Sequence, residues 1–371
     1  MRNLIYLDYA SLFPPVREGL DAMRMAAESS WGQPLSLHAA GARARYALDH
    51  ARQEVSTYVG AMPHEIAFVG SGREALARAF DLAIGQIGDG GTIVSSHLEH
   101  PSVLAMVEEA SRAGHPVHWL ALPGGVPNGD DVLALEKASL VALSMCNHEL
   151  GTFLDVAALA PNAVRLVDAV QSAPWISLDS LNDDKTFYAL SGSKLGAPMS
   201  VGVLRVPTKI YYAERERGSS IEGDSPPWLT AVGLGAVCAV RGPRRADALR
   251  RAREACDRLR AGLLEVDANL LVNGDEKARL GTILNVSFPG VFGKSLVSAL
   301  SLEGICISHT AACQSRRSDV SPVVRVAYPD VPERAQGATR WSVSEDVTED
   351  DIACAIRTTR EILRTERRDA P

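Results

Sequence analysis

Short, nearly uninterrupted apolar runs alternate with amphipathic stretches through the first two-thirds of the sequence, and few folds accept that rhythm. The runs cover residues 65–69, 92–96, 117–122, 140–145, 165–167, 186–190 and 201–206. A strand that is apolar at almost every position is covered on both faces, the habit of parallel sheets. Helix patterns lie between the runs. Over 41–59, Ala44, Ala47, Leu48, Ala51, Val55 and Val59 share one face, mostly at three- and four-residue steps. A second pattern spans about 73–84. This order predicts an α/β fold with a mostly parallel sheet flanked by helices. Ligands of such sheets bind at the carboxyl ends of the strands.

The texture changes after about Val240. Residues 241–264 are rich in Arg and read as one long helix. Shorter strands are expected at 282–288, 305–308 and 340–343, and a closing helix starts near Thr348, where Thr348 and Asp351 have capping-box spacing. The division expected is a large domain over 14–240 and a smaller α+β domain from 1–13 and 241–371. Asp247, Glu254 and Asp257 are interspersed among the arginines, so an ion-paired, solvated face is expected there.

The 371 residues carry a formal charge of −7 and are 46% apolar and 22% charged, which suits a soluble globular protein. A negative balance argues against coating DNA or an anionic membrane, so neither direct nucleic-acid binding nor membrane association is expected. The N-terminal residues lack a signal-peptide pattern, and the longest apolar stretch, 229–240, is too short to span a bilayer. A cytoplasmic address is the expectation. Six cysteines without a CxxC pair make neither a disulfide framework nor a zinc site, and no metal is expected. Each cysteine is then core filler or chemistry.

Four places carry chemical potential. In FVGSGRE (68–74) a strand runs through a Gly-rich turn into a helix, where free N–H groups can cup an anion; Gly-rich turns of this kind are also common without one. Asp168 follows an apolar run and sits at a strand end, the place of a ligand contact or of a helix N-cap. In SGSK (191–194) a lysine follows a strand beside small hydroxyls, fit for a Schiff base or for a solvated loop. In SHTAAC (308–313) Cys313 opens a polar loop, QSRRSD (314–319), whose Arg316 and Arg317 favour thiolate. Cys146, Cys238, Cys306 and Cys354 lie in apolar patterns and Cys256 in the Arg-rich stretch, so these five read as structural.

The order of these features resembles the cysteine desulfurases, pyridoxal-phosphate (PLP) enzymes of fold type I in the class V aminotransferase group. IYLDYA (5–10), SLHAAG (36–41), LEHPSV (98–103), NHELG (147–151), VDAVQ (167–171) and LNVSFPG (284–290) resemble that family's YLDNAA, SIHAEG, IEHPSV, NNEIG, VDAVQ and LNVSFPG. The spacing from Asp168 to Lys194, 194 − 168 = 26, also agrees. The resemblance implies that Lys194 binds PLP covalently and moves the α-proton. Asp168 pairs with the ring nitrogen, Gln171 and Asn147 bond the phenolic oxygen, and His100 stacks on the ring and shuttles protons. Ser191, Ser193 and the backbone from Ser71 through Gly72 to Arg73 lie at the phosphate. Arg340, with Asn147, receives the substrate carboxylate, and Cys313 takes sulfur from L-cysteine as a persulfide. The loop length resembles that of members that pass sulfur to partner proteins. The sites of this fold type imply a homodimer.

The chain departs from the family at several points. Ser193 replaces a His before the lysine, and Arg73 replaces a Thr in the phosphate cup; a compensating exchange, with Arg73 supplying the missing cation, is the expectation. His309, Thr310 and Ala311 stand where relatives have Thr, Gly and Ser. EGDS (222–225) only loosely echoes the family's RSGTEN segment, leaving Ser225 as the residue for a neighbouring subunit's phosphate. The acceptor stays open between iron–sulfur assembly, tRNA thiolation and DNA phosphorothioate modification. Open alternatives are another class V reaction (transaminase, epimerase or selenocysteine lyase) and a catalytically degenerate scaffold for sulfur transfer.

Overall fold

The structure is a computed structural model that describes residues 4–223, 225–310 and 318–368, with the side chains of 366–368 excepted. Cys313, with Arg316 and Arg317, lies outside the described residues. The chain opens with β1 (Ile5–Tyr6), α1 (Arg17–Ser29) and α2 (Ala39–Val59). It then alternates: β2 (Ile66–Val69), α3 (Gly72–Ile84), β3 (Ile93–Ser96), α4 (Pro101–Arg112), β4 (Val117–Leu120), α5 (Gly129–Glu136), β5 (Leu140–Ser144), α6 (Val156–Leu159), β6 (Val164–Asp168), β7 (Thr186–Ser191) and β8 (Gly202–Arg205).

These strands form a seven-stranded sheet in the order β2-β8-β7-β6-β5-β3-β4. The pairs from β4 through β7 are parallel, and β8 runs against both its neighbours. The expected mostly parallel sheet is therefore present. Successive side chains of a strand face opposite ways. Leu140 and Ala142 join the cluster built with Ala75, Ala79 and Val107 of α3 and α4. Val141 and Leu143 join the cluster on the other face with Val55 and Leu234. The register aligns Ser144 of β5 with Asp168 of β6, and Asp168 with Ala189 of β7. The loops that leave these three strand ends are thus side by side.

The second part of the chain contains α7 (Thr208–Glu216), α8 (Trp228–Arg241), α9 (Arg245–Val266), β9 (Leu271–Asn273), β10 (Ile283–Ser287), α10 (Gly293–Leu302), β11 (Ile305–Cys306), α11 (Pro322–Ala327), α12 (Pro332–Gly337), β12 (Ala338–Ser342) and α13 (Glu349–Arg368). The Arg-rich stretch is not one helix from 241. α8 ends at Arg241, a 3₁₀ turn covers Gly242–Arg244, and α9 starts at Arg245. Pro243 lacks an N–H and crowds the residue before it, so the α-helix cannot run through. On α9, Arg250 pairs with Asp247 and Glu254 at 2.6 and 2.7 Å, and Arg279 pairs with Asp257. Thr348 and Asp351 cap α13 reciprocally, as their spacing predicts. Strand β9 has no counterpart in the sequence reading.

Strands β9, β10 and β12 make an antiparallel sheet, while β1 pairs in parallel with β11. Leu7 and Phe13 pack with Leu259, Leu284, Leu296 and Trp341 in a third cluster. Isolated bridges join Asp8 to Ser342 and Ser308 to Arg340, which brings both segments to the edge of the large sheet's strand-end loops.

Candidate active site

A cavity of about 270 Å³ opens at the carboxyl ends of β5, β6 and β7. It lies near the low end of the ~300–1,000 Å³ expected of ligand pockets. Of the site residues expected from sequence, His100, Asp168, Gln171, Ser191, Ser193, Lys194 and Arg340 line it together.

Asp168 ends β6 and its Oδ1 accepts the Val170 N–H at 2.9 Å. Burial pushes its carboxyl up to about 6, against that hydrogen bond and the charge of Lys194. A protonated ring nitrogen placed against this carboxyl would relieve the cost of burying it. Lys194 closes the 3₁₀ turn Gly192–Lys194 that follows β7, and its Nζ donates to the Ser11 carbonyl. The N-terminal segment covers this side of the cavity: Ala10 and Ser11 line it, and Gln171 Nε2 donates to the Ala10 carbonyl at 2.9 Å.

Ser191 and Ser193 face each other with oxygens 2.9 Å apart. They lie beneath the start of α3, where Ser71 caps the helix through the Glu74 N–H. Gly72 is buried behind Ser191; a Cβ at this position would sit 2.8 Å from the Ser191 Cβ, so only glycine permits this approach. The first-turn N–H groups and two hydroxyls make an anion cup at the positive end of a thirteen-residue helix. Arg73 is exposed and does not line the cavity, although its charge reaches His100.

His100 is the N-cap of α4, its Nδ1 accepting the Ser102 N–H at 3.2 Å. That bond leaves the proton of the neutral ring on Nε2. Burial, then Lys194 and Arg73, depress its pKa to about 4, so the ring is neutral near pH 7. His148, which the sequence reading passed over, also lines the cavity, with its ring 5.3 Å from that of His100 and nearly perpendicular to it. It is buried, its pKa is held well below the ordinary histidine value by burial and by neighbouring cations, and its Nδ1 has no hydrogen-bond partner.

Asn147 requires a correction. Its amide does not reach the cavity: Oδ1 accepts the N–H groups of Glu149 and Leu150, and Nδ2 donates to the Leu98 carbonyl. The side chain is spent on holding the turn after β5, and its neighbour His148 faces the cavity instead. The only sequence signal was adjacency within NHELG (147–151), which does not tell which of two consecutive polar residues turns inward.

Arg340, central in β12 and 1% exposed, reaches the cavity from the smaller sheet. Its Nη1 donates to the His148 carbonyl at 2.8 Å, and Nη2 donates to Asp8 at 2.9 Å and to Ser11 Oγ at 2.6 Å. Its Nε is buried without a partner. Cys146 lines the same cavity, but burial, with Asp168 adding, pushes its thiol up to about 12. A carboxyl, an amine, two neutral imidazoles, an anion cup and a guanidinium thus surround one space, and this donor set fits a phosphorylated pyridine aldehyde and an amino acid.

Comparison with known proteins agrees with this geometry. The aminotransferase class-V family model matches residues 5–353. The cysteine desulfurase NifS of Azotobacter vinelandii is 30% identical, over 95% of this chain and 91% of its own. A cysteine desulfurase of Gluconacetobacter diazotrophicus is also 30% identical, over 94% of this chain and 91% of its own. A solved NifS-like protein superposes with a TM-score of 0.85 at 24% identity, over 98% of this chain and all of that one. It shares the fold type I architecture of the large sheet and its flanking helices. The chain therefore belongs to the aminotransferase class-V family, among the cysteine desulfurases, whose members depend on PLP.

Proposed function

We propose that this protein converts L-cysteine to L-alanine and leaves the sulfur as a persulfide on Cys313, from which an acceptor protein takes it. The observation that carries this is the convergence of Lys194, Asp168, His100 and Arg340 on one cavity. When bound, PLP supplies the electron sink that lets the substrate's C–H and C–S bonds break. Lys194 holds it between turnovers, and its released amine moves the α-proton. Asp168 keeps the ring nitrogen protonated. Neutral His100, its proton on Nε2, exchanges protons with the substrate thiol. Ser191, Ser193 and the start of α3, from Gly72 to Arg73, receive the phosphate. His148 takes the ring-oxygen contact first assigned to Asn147, since its Nδ1 is unpartnered. The substrate carboxylate is received by Arg340, sharing the guanidinium with Asp8.

The Cβ–S bond of L-cysteine breaks, an S–S bond forms to Cys313, and the electron pair left on carbon takes up a proton to give alanine. The described cysteines support Cys313 as the acceptor. Cys146 is adjacent but held protonated, and Cys238 and Cys256 are buried with thiols pushed up to about 12. A homodimer fits the exposed apolar side chains of Met25, Trp31, Leu35, Leu37 and Tyr46, carried within one stretch of chain. The cytoplasm, where thiols stay reduced, fits five described cysteines that are all free. The division into 14–240 and 1–13 with 241–371 is supported by Leu7 and Phe13, which pack in the C-terminal cluster.

The test is incubation of the PLP-loaded protein with L-cysteine. Alanine should appear in step with a Cys313 heavier by one sulfur atom, and both should vanish in Lys194→Ala. Alanine release at the parental rate from Cys313→Ser would refute the thiol step. No alanine from the parent would move the protein to another class V reaction or to the scaffold alternative.

A further inference from the structure

The backbone of Arg340 lies in β12 between Asn285 of β10 and Ser308, with hydrogen bonds to Ser308 in both directions. Its side chain is held as firmly. A guanidinium has five N–H donors. Nη1 donates to the His148 carbonyl, and Nη2 donates to Asp8 and to Ser11 Oγ, so three protein acceptors already lie on it. Among the described residues, Asp8 forms the ion pair of this arginine, at 2.9 Å.

Asp8 is tied at more than this one point. Its Oδ1 also accepts Ser11 Oγ, and its Oδ2 accepts Ser308 Oγ, each at 2.9 Å. Its backbone bridges to Ser342, two residues beyond Arg340 on the same strand. A carboxylate anchored in this way stays in place when a second one enters the cavity. The incoming carboxylate then meets a guanidinium whose charge is already partly neutralised. Two carboxylates on one cation repel each other, and the repulsion is poorly screened where the two side chains are 2% and 16% exposed. The α-carboxylate is the same in L-cysteine and in L-alanine. Holding it more tightly would strengthen substrate and product alike and would not speed the chemical step.

We propose that Asp8 is a positioning residue for Arg340 that both aims the guanidinium and weakens its hold on the substrate carboxylate. This rests on the reading that Arg340 receives that carboxylate. The aiming comes from the charge-assisted bond to Nη2, shared with Ser11. The weakening comes from the negative charge of Asp8, and it eases the departure of L-alanine. Asp8 contacts neither substrate nor cofactor in this role.

The test titrates PLP-loaded protein with L-alanine and with L-alaninamide and follows the cofactor absorbance. In Asp8→Asn the amide oxygen can still accept from Nη2, but the charge is gone and the incoming carboxylate becomes the counter-ion of a buried guanidinium. L-Alanine should bind this variant about fivefold more tightly than the parent, and KM for L-cysteine should fall with it. L-Alaninamide, which has no carboxylate, should bind as it does to the parent. A loosened site would weaken both ligands, so a gain confined to the charged one isolates the charge of Asp8. Parental or weaker L-alanine binding in Asp8→Asn, or an equal gain for both ligands, would overturn the inference while leaving the desulfurase reading intact. A parent whose spectrum L-alanine does not change, or an Arg340→Ala variant that binds L-alanine as tightly as the parent, overturns the Arg340 assignment and this inference with it. Should Asp8→Asn fail to fold, Asp8→Ser, also neutral, decides by the same comparison of ligands.

Discussion

At the scale of single residues, the cavity is shaped by groups whose charge state burial has altered. Asp168 is raised to about 6 by burial. A cofactor with a protonated ring nitrogen needs the ionised carboxylate. Its retention should therefore strengthen as pH rises through about 6 and weaken below it. Dialysis of loaded protein at pH values either side of that point, followed by absorbance, should show faster cofactor loss on the acid side. Asp168→Asn should weaken binding at least about tenfold and flatten the pH dependence. Glu99, buried beside Ser144, is raised to about 8, chiefly by burial with Asp168 adding, against hydrogen bonds from Ser144. A carboxyl whose folded pKa lies above its ordinary value of 4.5 contributes its full stability only below that ordinary value. That contribution fades as pH rises from there to about 8, at up to about 1.4 kcal/mol per pH unit, and is lost above it. The melting temperature of Glu99→Gln relative to the parent should accordingly increase between about pH 5 and 8. A flat or falling difference would show that Glu99 is ionised in the folded protein.

At the scale of elements, the start of α3 and the turn after β7 form one device. Gly72 lets the helix come down on Ser191, so that the first-turn N–H groups lie close to the hydroxyl-bearing turn after β7. Gly72→Ala should cost about 1–3 kcal/mol of stability through overpacking and loosen cofactor phosphate at the same time. Thermal melting and PLP titration of one sample would separate the two effects. Arg73 is exposed and does not line the cavity, yet its field contributes to the depressed pKa of His100. Arg73→Thr should release PLP faster and raise the His100 pKa. A variant that keeps the cofactor as tightly as the parent would count against any compensation for Ser193.

At the scale of the whole molecule, the cavity exists only because two sheets meet. The large sheet supplies Asp168, Lys194 and the turn at 147–151; the smaller sheet supplies Arg340, and the N-terminal segment supplies Asp8 and Ser11. The proposed homodimer would cover apolar side chains exposed over residues 25–46, with Leu37 at 96% and Trp31 at 71%. Sedimentation should show a dimer for the parent and a monomer for Trp31→Asp/Leu37→Asp. A parent that sediments as a monomer at micromolar concentration would remove the homodimer.

The alternation of apolar runs was enough to announce the large sheet, because a strand covered on both faces must be apolar throughout, and the strands lie within a residue or two of the runs. Motif order likewise grouped Asp168, Lys194, His100 and Gln171, which line one cavity, since each lies at a helix start or at or just past a strand end that local sequence defines. Contacts between distant segments were not legible. Asp8 and Arg340 are 332 residues apart, and their pairing depends on the segment after β1 bridging at Asp8 to Ser342, the end of β12. Whether Asn147 or His148 faces the cavity was settled by the Leu98 carbonyl and two turn N–H groups capturing the amide. Asp8 drew no notice because a carboxylate within a motif carries no sign of the hydroxyls that will reach it. Periodicity and local caps record what each segment needs from its own neighbours in the chain. The partners that complete a buried polar group come from elsewhere, and only packing brings them together.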